Sequence, residues 1–280
     1  IMPFSKKRAA MLSMFTALAI STSPAVFTEK LSTSSGQVHI SQETVTPGTN
    51  RVPKIRAYTH KRVVQPLLSR SIDSILTDPE SYGIMPALIY GEEKLIYIPA
   101  SEYLSFKARP HEMKRWSDYL NFLTPENMTI AALGQLFTFS RDQKNGTKIE
   151  NTKAEQAAEV VRFVQNNVLY DAIIETEQDY IRFPVETLFE RNGDCEDLAI
   201  LAASIMQSIG IKIAIIVLPP INTKEEKPHA ALGVTGNFEG KYYDVGNERY
   251  YYTELNGKTR KIGSSQSRYR YRDVILYIPE

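Results

Sequence analysis

The sequence predicts an α+β fold in which a cysteine-bearing helix packs on an antiparallel sheet, preceded by a mixed helix/hairpin region. Three observations predict it. Apolar residues recur at helical spacing over 63–76, 112–122, 128–139, 153–167 and 195–209. Alternating or continuous apolar runs occupy 87–98, 212–218, 229–234, 240–245 and 249–255. Between them, Gly- and Pro-containing polar stretches punctuate the chain. The 280 residues are 42% hydrophobic and 23% charged, which is enough to bury a core and excludes collagen-like, coiled-coil and wholly disordered chains. Thirty-three basic against 32 acidic side chains give a net charge of +1, which argues against polyanion binding. One cysteine excludes an intrachain disulfide.

The N-terminus has the layout of an export signal. Lys6, Lys7 and Arg8 precede an apolar run, Ala9 to Ile20, and a small-x-small site closes at Ala25. The run is short of the roughly 20 residues a spanning helix needs, so residues 1–25 read as a signal peptide or N-terminal anchor, and no other segment reaches spanning length. Residues 26–51 are rich in Ser, Thr, Gln and Gly and read as a polar spacer. An exported chain would make Asn127 and Asn145 candidate glycan acceptors.

Residues 52–145 form the N-terminal helix/hairpin region. Val63, Val64, Leu67, Leu68, Ile72, Ile75 and Leu76 make a helical stripe, and the runs either side of Gly91 make a hairpin. Helices follow over 112–122, with Met113, Trp116, Tyr119 and Leu120 on one face, and over 128–139. His60 and His111 lack partners at metal-ligand spacing and are expected at the surface or in caps. The polar stretch from Arg141 to Lys148 is the expected boundary with residues 146–280.

In that second half, Lys153 to Asn167 is a helix with Ala157, Val160, Val161 and Val164 on its buried stripe. Asp194 followed three residues later by Asp197 is an acidic capping box, so Cys195 opens a helix that ends before Gly210. At 100° per residue, Cys195 lines up with Leu198, Ala199, Ala202, Met206 and Ile209. A small buried hydrophobe and a helix-tip thiolate fit that position equally well. Downstream, His229 starts a strand and carboxylates, Asp244 and Glu254, lie on the strands after it. A thiol nucleophile needs such partners: a base for its proton and an acid to hold the imidazole. The alternating Arg and Tyr of 267–272 read as an edge strand with one basic face rather than a nucleic-acid site.

Four runs carry a resemblance: Phe183-Pro-Val-Glu-Thr-Leu, Gly193-Asp-Cys-Glu-Asp-Leu-Ala, His229-Ala-Ala-Leu-Gly-Val and Arg249-Tyr-Tyr-Tyr-Thr-Glu. In this order they resemble the motif series of the transglutaminase-like cysteine-peptidase superfamily, especially its archaeal and bacterial branch. The resemblance spans residues 153 to 262 and implies a papain-like core over 146–280, with Cys195 as nucleophile and His229 as general base. For the third member it implies Glu254, with Asp244 in reserve. Leu255 and Asn256 stand where that branch has two Thr, and Pro228 where it has Gly.

Related exported bacterial peptidases with the same acidic run bind calcium, which makes Asp194, Glu196 and Asp197 candidate calcium ligands. The alternative is that Asp194 and Asp197 cap the helix while Glu196 faces solvent. No cofactor is otherwise required. The backbone N–H of Cys195 is the expected first oxyanion donor and an upstream polar side chain the second; Gln165 has the right type, but a surface position suits its helix better. The function this implies is an extracytoplasmic, secreted or cell-envelope cysteine-dependent amide hydrolase or acyl transferase with a protein or peptide substrate and no nucleic acid. The alternative is a non-catalytic module that keeps the fold.

Overall fold

The computed structural model describes residues 29–34, 37–42, 81–142, 144–171, 180–220, 228–258, 260–265 and 274–279. The expected export segment, the apolar stripe at 63–76, His60 and the Arg/Tyr alternation of 267–272 lie outside them. Residues 1–59 and 60–280 are separate units. In the first, within the expected spacer, β1 (Glu29–Ser34) pairs antiparallel with β2 (Gln37–Gln42), Leu31 opposite Ile40 and Thr33 opposite Val38.

The second unit opens with a hairpin of β3 (Tyr82–Ile89) and β4 (Glu92–Pro99). Tyr90 and Gly91 both have positive φ, 52° and 78°, the two-residue turn that matches strand twist. Met85, Ala87, Ile89, Ile96 and Ile98 alternate onto the buried face. Helix α1 (Ala100–Lys107) follows.

The next stretch departs from expectation. Instead of a helix over 112–122 there is a 3-10 helix, Trp116–Phe122. Asp118 accepts from the backbone N–H groups of Lys114 and Arg115, which delays the start. Trp116, Tyr119 and Phe122 are spaced by three, the period of that tighter helix. Helix α2 (Met128–Gln135) is also shorter than expected, because Phe139 already belongs to β5 (Phe139–Arg141), which pairs with β6 (Lys148–Glu150). Asn127 caps α2 through Ile130 N, and its amide donates to Glu102.

Helix α3 (Lys153–Asn167) begins at the Thr152/Glu155 capping box. The short β7 (Leu169–Tyr170) runs parallel to β8 (Asn192–Gly193), and α4 (Pro184–Glu190) lies between them in sequence with Pro at its first turn. Helix α5 (Cys195–Ser208) is buried on every side from Asp197 to Met206, as its near-continuous apolar sequence requires. It packs on α2, α3 and α4 and on the sheet.

That sheet is antiparallel with strand order β11-β12-β10-β9-β13, where β9 is Ile213–Leu218, β10 His229–Thr235, β11 Tyr242–Val245, β12 Glu248–Thr253 and β13 Ile275–Tyr277. Central β10 pairs His229 with Leu218 on one side and Leu232 with Thr253 on the other. One core runs from Met85 in the hairpin through α5 to Ile262. The N-terminal helix/hairpin residues therefore share the core of the helix-on-sheet half. The α+β expectation and its papain-like layout hold.

Candidate active site

Helix α5 presents Cys195 at its N-terminus. Asp194 accepts from Asp197 N at 3.5 Å, and Asp197 accepts from Asp194 N at 3.4 Å. Gly193 is needed here because a Cβ on it would lie 2.7 Å from Asp197 Cβ. The thiol sulfur accepts from Ala230 N at 3.4 Å, so the helix tip meets the start of β10, one residue from His229.

His229 Nε2 lies 3.1 Å from both oxygens of Glu254. Both side chains are buried, and Tyr252 Oη donates to Glu254 Oε2 at 2.9 Å. Gln165 is not at the surface: it is buried on α3 and its Nε2 donates to the carbonyls of Glu254 and Arg260, both at 3.0 Å. Its amide braces the chain that carries Glu254 and is spent there rather than on an oxyanion. Asp244 sits elsewhere, exposed on β11 and bonded to Arg249 Nε at 3.1 Å. Of the two candidate carboxylates, Glu254 is the one beside the imidazole.

The helix side is crowded with negative charge. Burial, then the fields of Glu196 and Asp194, push the Cys195 thiol well above its ordinary value, against a smaller pull from the Ala230 N–H. Its sulfur donates to Glu196 Oε2 at 3.0 Å. Glu196 thus turns toward the thiol instead of facing solvent, and it also hydrogen-bonds Asp194. Burial and the Glu196 charge push Asp194 up to about 8. Burial and Asp194 push Asp197 up to about 7, with Arg182 pulling the other way.

Asp197 spends both oxygens on Arg182: Oδ1 accepts from the backbone N–H and Oδ2 from Nη1, both at 2.8 Å. Calcium would need Asp194, Glu196 and Asp197 to converge, and among the described residues no group of three or more His, Cys, Asp or Glu is placed to hold a metal ion. As arranged, the acidic run does not fit a bridging cation.

Two further groups carry no sequence signal of their own. Tyr170, about two-fifths exposed, is the parallel partner of Gly193, and Asp171 N donates to Gly193 O at 2.9 Å. Its hydroxyl bonds the Asn256 side chain, and burial, then the fields of Cys195 and the adjacent acids, push it up to about 12, so it stays protonated. The second is His111. It is buried rather than superficial, donating from Nδ1 to Ile181 O at 2.7 Å and stacking on Tyr180.

A helix-tip thiol against an antiparallel strand that carries an imidazole–carboxylate pair defines the class: an α+β, papain-like thiol site. Residues 141–252 match the family described as Transglutaminase-like superfamily. The match contains Cys195 and His229 and ends just before Glu254. Among solved structures, Legionella pneumophila LapG (EGTA-treated) is 18% identical with a TM-score of 0.32 over 44% of this chain, and this chain spans 66% of its length. A candidate cysteine protease from Cytophaga hutchinsonii is 19% identical with a TM-score of 0.30 over 56% of this chain and 48% of its own. No curated protein matches the chain.

Proposed function

We propose that this chain is an extracytoplasmic cysteine-dependent amide hydrolase or acyl transferase acting on protein or peptide substrates. One observation carries the reading: His229, bonded to Glu254 at 3.1 Å, begins the strand whose next N–H bonds the Cys195 sulfur. With Nε2 turned to Glu254, Nδ1 is the ring nitrogen to receive the thiol proton. Substrate entry displaces the thiol from Glu196, and the thiolate attacks the scissile carbonyl. The backbone N–H of Cys195 and the hydroxyl of Tyr170 receive the developing oxyanion. The imidazolium then protonates the departing amine, leaving an acyl-thioester. Water or a second amine, deprotonated by His229, attacks that thioester and releases the thiol. The basic and apolar N-terminal run supports action outside the cytoplasm.

A second reading, a non-catalytic module, is favoured by the resting thiol's bond to Glu196. Alkylation of Cys195 by iodoacetamide separates them. The enzyme reading expects His229→Ala to slow labelling roughly 100-fold at neutral pH; labelling indifferent to that change supports the module.

A further inference from the structure

Asp194, Cys195, Glu196 and Asp197 put three carboxyl groups around one thiol. Such a cluster needs a cation, and among the described residues the one in contact with it is Arg182, whose side chain is only 10% exposed. Besides its two bonds to Asp197, it donates from Nε to Glu190 Oε2 at 2.8 Å. Glu190 Oε1 in turn accepts from Lys107 Nζ at 2.9 Å and Tyr103 Oη at 2.8 Å. Lys107, Glu190, Arg182 and Asp197 therefore form a line of alternating charge, with Glu186 a further carboxylate 3.5 Å from Lys107 Nζ. It runs from α1, ahead of the family-matched stretch, through α4 to the first turn of α5.

Asp194 and Glu196 stand outside this line and bond each other. A cation bridging all three acids would have to take Asp197 from the guanidinium, leaving a buried Arg182 with half its partners.

We infer that Arg182 is the resident counter-cation of the acidic run, a positioning residue that fixes the nucleophile helix from α1 and α4 without a metal ion. The word nucleophile rests on the function proposed above; the ion-pair line does not. Region 82–107 thereby acquires a role in the site itself.

The test uses the full chain at about pH 8, above the value to which burial raises Asp197, with melting temperature and iodoacetamide labelling as readouts. For the unaltered chain, neither calcium chloride nor EGTA changes either readout. Arg182→Met leaves Asp197 buried and unpaired, lowers the melting temperature by roughly 10 °C and slows labelling roughly tenfold below that temperature. Adding Asp197→Asn to it recovers much of the melting temperature, because no uncompensated charge remains. Arg182→Lys, which restores charge without the two-pronged contact, labels at an intermediate rate. Lys107→Met, at the far end of the line, lowers both readouts in the same direction by less.

A calcium-induced rise in melting temperature that Asp197→Asn abolishes would overturn the inference, as would wild-type labelling and stability in Arg182→Met. Labelling that ignores His229 sinks the nucleophile reading alone, and the melting arms still decide the role of Arg182.

Discussion

The two sides of the site are built on opposite electrostatic terms. On the sheet side, His229 meets one carboxylate, which is itself held by Tyr252 through its side chain and by Gln165 through its backbone. On the helix side, three acids crowd one thiol, Arg182 answers one of them, and the thiol keeps its proton while donating it to Glu196. The sheet side is arranged to accept a proton, whereas the helix side is arranged to keep it. Fixed geometry thus sits on the strands, and the brake on reactivity sits at the helix tip.

The largest effect is expected at Tyr170. If its hydroxyl receives the oxyanion, Tyr170→Phe slows acylation by p-nitrophenyl acetate roughly 100-fold while iodoacetamide alkylation, which passes through no oxyanion, keeps its rate. Equal loss in both reactions would place Tyr170 on the thiol or the fold instead.

Glu196 sharpens the contrast next. Its charge and its bond both hold the proton on Cys195. Glu196→Gln should therefore speed alkylation at pH 7 by roughly tenfold, equivalent to about one pH unit of thiol acidity. A slower variant would mean that Glu196 activates the thiol.

Stability against pH gives the smallest effect. Asp194 and Asp197 hold protons more tightly folded than unfolded, with values raised from 3.8 to about 8 and about 7. Their contribution is full below the unfolded value and is lost as pH rises through the folded ones, so the melting temperature falls by a few degrees between about pH 4 and about pH 8. Asp194→Asn should flatten the upper part of that fall; a melting temperature that climbs across the window would contradict the raised values.

What could be read in the sequence was whatever depends on neighbours in the chain. The Asp194/Asp197 box and Gly210 bound α5 to within a residue or so, and the continuous apolar run of β9 announced a strand buried on both faces. Helix type at 116–122 is not legible in the sequence, because apolar spacing of three fits both a loose α-helix face and a tight 3-10 turn. The site's partners were harder. Gln165 is fixed by carbonyls 89 and 95 residues away, and His111 by one 70 residues away, so neither burial has a local signature. Arg182 immediately precedes the Phe183-Pro-Val-Glu-Thr-Leu run, yet nothing in its neighbours tells that it reaches into the first turn of α5. Glu254 was separable from Asp244 by family resemblance; the structure supplies the physical reason, since one carboxylate is buried at His229 and the other is exposed on an outer strand.

The central claim is that Cys195 takes an acyl group with His229 as its base. Incubation of the full chain with p-nitrophenyl acetate, an acid quench and peptide mapping by mass spectrometry tests it directly. The account predicts a single acetyl thioester on the peptide that carries Cys195, absent from His229→Ala. Nitrophenol released with no acetyl on Cys195, or with the same acetylation in His229→Ala, would contradict it.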